Sequence, residues 1–113
     1  MFYMPQYHNL PDGRQVFLRF PDPARHADGV SALLEGVPSG EAGAAFLSAA
    51  NAHPMRLVLV AEIAGNLAAC GLLELEDGPR MQAAAADAFG GLGLEALLER
   101  SMTAVAAQKG VEV

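Results

Sequence analysis

Gly90, Gly91 and Gly93 sit between an alanine-rich stretch and a leucine-rich one. Glycine lets a backbone come close to a ligand and turn several N–H groups the same way. The residues that follow, Leu94 to Glu99, open an amphipathic helix, whose dipole adds positive potential at the same place. Together these predict an anion site, best suited to a phosphate. On spacing alone, a plain strand-to-helix turn explains the glycines equally well.

Other chemistry-bearing residues are sparse. Glu62 and Glu74 are the strand carboxylates that could serve as a general base, a role that requires reaching the substrate directly or through one water. Glu62 falls at a strand end and Glu74 on a wet face, so surface charge is the expected role for both. His8, His26 and His53 show no metal-ligand spacing and read as exposed or structural, with no metal site. Cys70, among small apolar residues, reads as a buried, inert thiol. Ser101 reads as a small core residue, and no Ser/His/Asp nucleophile signature occurs.

The elements that must position these groups follow from pattern. Pro11-Asp12-Gly13 predicts a tight turn between Tyr7–Leu10 and Gln15–Phe20, an N-terminal hairpin with Val16, Leu18 and Phe20 on its buried face. Asp22 and Pro23 predict a helix start, with Ala27, Val30, Leu33 and Leu34 on its apolar side and a stop at Gly36 and Pro38. A second helix is expected from Ser39 to His53-Pro54, with Ala45, Phe46, Ala49 and Ala50 inward. Met55 to Glu62 is a continuous apolar run, hence a central strand. A turn at Ile63–Asn66 leads to a strand over Leu67–Glu76, and Asp77-Gly78 predicts a hairpin. Arg80 to Asp87 has four alanines in a row, yet too few residues for a helix with its loops, and is assigned as a strand. A helix from Gly93 buries Leu94, Leu97, Leu98, Ser101 and Val105. Lys109 lies in its last turn, Gly110 caps it, and Val111–Val113 begins another strand.

At 113 residues the chain is one small domain. Alanine and glycine carry much of its apolar fraction, so the core is thin. A net charge of −6 argues against a nucleic-acid surface and a polybasic membrane anchor. No apolar run reaches spanning length. One cysteine and no signal peptide suit a cytoplasmic protein.

The order strand, two helices, three strands, glycine turn, helix resembles the GNAT N-acetyltransferase superfamily over residues 10–113. The opening Leu10 to Pro21 looks like its protein-lysine acetyltransferase branch. Ala86 to Leu98 is similar to the family's pyrophosphate loop, where Gln or Arg precedes Gly-x-Gly-x-Gly/Ala. The resemblance implies an α/β (α+β) fold, a mostly antiparallel sheet with packed helices, here lacking the C-terminal third. It implies that acetyl-CoA is held by the amides of Gly91, Leu92, Gly93 and Leu94, with Gly90 and Glu95 at the edges. Ala83 to Ala85 would then make backbone contacts to the pantetheine arm. The activity implied is acetyl transfer to a small-molecule or protein amine.

The chain departs from the family at several positions. Gly90 stands at the Gln/Arg position and Glu95 at the last small position. Arg80 takes the place of the branch's catalytic glutamate, and a guanidinium cannot act as general base. No tyrosine follows Tyr7. These departures keep a second reading open: a degenerate, non-catalytic GNAT-like domain acting as a dimerisation or regulatory binding module. A second copy or a partner domain would then cover its open sheet edge.

Overall fold

The computed structural model describes residues 5–52, 55–76 and 78–108. The chain runs β1 (Gln6–Asn9), β2 (Gln15–Arg19), α1 (Pro23–Leu33), α2 (Gly40–Ala52), β3 (Arg56–Ile63), β4 (Asn66–Glu74), β5 (Arg80–Ala85), a 3-10 turn (Asp87–Phe89) and α3 (Leu94–Gln108). The strands form one sheet in the order β1-β2-β3-β4-β5, every neighbouring pair antiparallel.

Local chemistry sets the turns. The Asp12 carboxylate accepts from the Arg14 N–H at 3.0 Å and from its Nε at 2.7 Å, closing the first hairpin. The β3–β4 turn places Ala64 and Gly65 at φ 52° and 81°. Two successive positive values are what the two-residue turn of a right-twisted hairpin demands. Asp22 caps α1, its side chain accepting from the N–H groups of Ala24 and Arg25 with Pro23 in the first turn. His53-Pro54, Asp77, and Lys109 to Val113, with the helix cap and final strand expected there, lie outside the described residues.

The sheet is sandwiched between helices. On one face, α3 packs Leu94, Leu98, Met102 and Val105 against Val16, Leu18, Leu59 and Leu73. On the other, α1 and α2 pack Val30, Leu34 and Leu47 against Val58, Val60, Cys70 and Leu72. β3 is the central strand, buried on both faces as its apolar run predicts. Ser101 is buried, and its hydroxyl donates to the Leu97 carbonyl at 2.9 Å.

Three expectations are corrected. The inward face of α2 is Gly43, Leu47 and Ala50, while Ala45 and Ala49 are exposed and Phe46 is half-buried. Alanines bury too little area to orient a helix, so the single leucine decides. Phe20 lies beyond β2 and is 44% exposed. Glu62 is not a surface charge but is 4% exposed, because α1 lies over that end of β3.

Candidate functional site

The glycine segment is a turn that opens a helix. Phe89 and Gly90 donate back to the carbonyls of Ala86 and Asp87, at 2.9 and 3.3 Å. Gly91 and Gly93 then adopt φ 78° and 76°, a conformation costly for any residue with a Cβ. Leu97 donates to the Gly93 carbonyl at 3.1 Å, so α3 begins its own bonding there. The amides of Leu94, Glu95 and Ala96 precede that bond and have no partner within the helix. Those of Gly91, Leu92 and Gly93 make no backbone hydrogen bond among the described residues. Phe89 and Leu92 pack on the core and fix the turn from below. Gly90, at the start of the bend, donates its N–H to Asp87.

β5 leads into this turn and is the edge of the sheet among the described residues. Its register pairs Ala69 with Ala85, Gly71 with Ala83 and Leu73 with Met81. Ala86 donates to the Ala68 carbonyl at 2.8 Å, which sets the phase of the ladder. In an antiparallel pair, alternate residues bond the neighbour and the rest face away. The N–H and C=O groups of Met81, Ala83 and Ala85 therefore point to the open edge. From Ala85 back to Arg80 that edge runs about 17 Å, at ~3.3 Å per residue.

A cavity of about 460 Å³ lies at the far end of the edge, lined by Glu35, Leu72, Glu74, Arg80, Met81 and Gln82. Three charges cross the sheet here in register: Arg56 on β3, Glu74 on β4, Arg80 on β5. Arg56 sits 3.6 Å from the Glu74 carboxylate and 5.1 Å from the Phe46 ring centre. Arg80 makes no ion pair among the described residues. Glu35 reaches the cavity from the end of α1 because Gln82 clamps it. The Glu35 N–H donates to Gln82 Oε1 at 3.1 Å, and Gln82 Nε2 donates to the Glu35 carbonyl at 3.0 Å.

The two candidate bases are thus separated. Glu74 lines the cavity beside β5. Glu62 lies at the opposite end of the sheet, two strands from β5, paired with Leu67 just past a register shift. Its Oε2 accepts from Arg25 and from His26 Nε2, the latter at 3.0 Å, and Arg19 stands 3.8 Å from Oε1. Asp22 N–H donates to His26 Nδ1 at 2.8 Å, so the ring proton belongs on Nε2. Burial, then the charges of Arg25 and Arg19, lower the His26 pKa. This cluster ties α1 to β3.

Cys70 is fully buried beneath α1 and α2, and burial pushes its thiol up to about 12, which leaves it protonated and inert. His8 is half-buried on β1 with Nε2 3.1 Å from Gln6 Oε1. Among the described residues no group of three His, Cys, Asp or Glu side chains could hold a metal ion, and no helix is long and apolar enough to cross a membrane.

Sequence reasoning missed Glu35, Gln82 and the partners that make His26 structural, Asp22 and Glu62. Of these, Asp22 had a signal, since an acidic cap followed four residues later by histidine places the ring one turn above the cap. The facing of Glu74 and Arg80 was also available, because they lie three residues on either side of Asp77. Glu35 and Gln82 are 47 positions apart and left no local trace.

No protein-family model matches the sequence, and no curated protein matches it. Among solved structures it is similar to the crystal structure of the GNAT domain of S. lividans PAT, with a TM-score of 0.63 and 17% identity over 95% of this chain and 74% of that one. The chain has a GNAT-like fold.

Proposed function

We propose that this chain binds acetyl-CoA along the open edge of β5 and transfers the acetyl group to an amine. The observation that carries the reading is the continuity of that edge. It joins a turn of unpartnered amides at one end to a charged cavity at the other. The amides of Gly91, Leu92, Gly93 and Leu94 hold the diphosphate, aided by the α3 dipole. The outward N–H and C=O groups of Ala85 and Ala83 pair with the amides of the pantetheine arm, as an added strand would. An arm extended from the turn ends beside Met81, whose N–H polarises the thioester carbonyl.

Glu74 takes one proton from the acceptor ammonium, directly or through water, and passes it to solvent. The freed nitrogen pair attacks the thioester carbonyl carbon. The C–N bond forms, the C–S bond breaks, and the sulfur leaves as thiolate, taking the second nitrogen proton. The products are an N-acetyl amide and free CoA. Glu62, held by Arg25 and His26 at the other end of the sheet, takes no part.

A second reading draws on Glu95, exposed in the first turn of α3, and on Arg80 at the cavity. Both oppose the chemistry usual for such a loop and base. In that reading the β5 edge pairs with the same edge of a second copy, giving a non-catalytic homodimer. Calorimetric titration with acetyl-CoA, followed by light scattering of the same sample, separates the two. Saturable heat at millimolar ligand or below supports the transferase. No heat, together with a dimeric mass, supports the module.

A further inference from the structure

The charge arrangement of the cavity bears on the acceptor, an inference that rests on the acetyl-transfer reading. Two opposite charges line one space of about 460 Å³ without an ion-pair partner among the described residues: the Arg80 guanidinium and the Glu35 carboxylate. The volume is that of a small-molecule site. The backbone beneath each of these exposed side chains is fixed. Register sets Arg80 opposite Glu74, whose carboxylate is engaged by Arg56, and Arg56 is in turn held over Phe46. The two-bond clamp from Gln82 fixes the backbone of Glu35 against the same strand.

A simple amine would satisfy Glu35 and Glu74 but would bring its positive charge towards Arg80. A lysine side chain of a protein would do the same. A ligand carrying both an ammonium and a carboxylate satisfies every member of the row. Its carboxylate takes the planar fork of Arg80, and its ammonium lies between Glu35 and Glu74. We infer that the acceptor is a free amino acid or a similar small zwitterion, with Arg80 selecting the carboxylate. The same arginine is then a specificity residue where a general base would otherwise be expected, and the product is an N-acetyl amino acid.

Binding without acetyl-CoA tests this separately from the transfer reaction. Backbone amide shifts of the labelled protein are followed while it is titrated with glycine, L-lysine or L-phenylalanine, and in parallel with methylamine, cadaverine or phenethylamine. Shifts at Glu35, Glu74 and Gln82 with at least one amino acid, about tenfold tighter than with its decarboxylated counterpart, support the assignment. Arg80→Met, an exposed change that leaves the core alone, then reduces the preference to about twofold or less. Equal binding of amine and amino acid, a preference that survives Arg80→Met, or no shift at these residues overturns it. Acetyl-CoA titrated into the same sample reports on the turn at Gly91–Leu94. A response there with none in the cavity leaves the transfer reading standing and removes the zwitterion. A cavity response with none at the turn does the reverse.

Discussion

His26 donates from Nε2 to the Glu62 carboxylate at 3.0 Å while its Nδ1 accepts the Asp22 N–H at 2.8 Å, so both ring nitrogens are occupied by a neutral imidazole. A second proton would have to displace the Asp22 donor and enter a buried space beside Arg25 and Arg19. The folded pKa lies below the ordinary imidazole value of 6.5, so the unfolded chain takes up the proton first. Stability from this group is complete above that value and is lost as the pH falls through it. Urea midpoints measured from about pH 7.5 down to 5.5 will therefore fall, and His26→Gln, already weaker at pH 7.5, will show a flatter dependence.

Glu62 compensates three cationic or donating partners, Arg19, Arg25 and His26, from a position 4% exposed. Glu62→Ala leaves Arg25 and His26 without an acceptor and opens a void, and will cost about 3 kcal/mol in urea unfolding. If acetyl-CoA binds along β5, its affinity in the folded variant will stay within about twofold, because the cluster is two strands away.

Proline scanning of β5 distinguishes its two sides. The Ala85 N–H faces the open edge, so Ala85→Pro removes a donor of the proposed acetyl-CoA site while the ladder to β4 survives. Its melting temperature will fall by only a few degrees, and calorimetry with acetyl-CoA will show at least about tenfold weaker binding. Ala84→Pro removes a ladder bond instead and will destabilise the fold by about 3 kcal/mol.

At Gly43, α2 comes close to the chain before it and to α1. A Cβ there would stand 2.3 Å from the Pro38 carbonyl oxygen and 3.2 Å from Ala27 Cβ. Gly43→Ala has the better helix propensity, yet it will lose about 2 kcal/mol in chemical denaturation through overpacking against backbone. Gly40→Ala, at φ 61° with open space around its Cβ position, isolates the backbone-strain component by comparison.

The sheet and its helices were legible because each carries a local signal: the Asp22-Pro23 start, the apolar run of β3, the turn at Ala64-Gly65, and the glycines before α3. The strand expected over Arg80 to Asp87 forms against helix propensity, because the flanking turns leave no room for a helix, and it stops at Ala85, with Asp87 already in the 3-10 turn. The glycine turn was found for the same reason, whereas Ala83–Ala85 entered only through the family resemblance, and the register turns Ala83 and Ala85 but not Ala84 to the edge. The charged cavity was not found. Glu35 and Gln82 meet only after α1 has folded over the sheet, and nothing near either residue marks that meeting. Glu62 was misjudged because a strand end looks exposed until the helix that covers it is placed.

The Gln82 amide does for the end of α1 what another strand would do, offering one donor and one acceptor to a passing main chain. That makes the wall of the cavity separable from the interior of the molecule. A single codon change at Gln82 would release the connector and re-cut the recess, while the leucines and valines packed between the sheet and α3 kept their neighbours. If the recess holds an acceptor, its rim is the part that can vary while the scaffold stays constant.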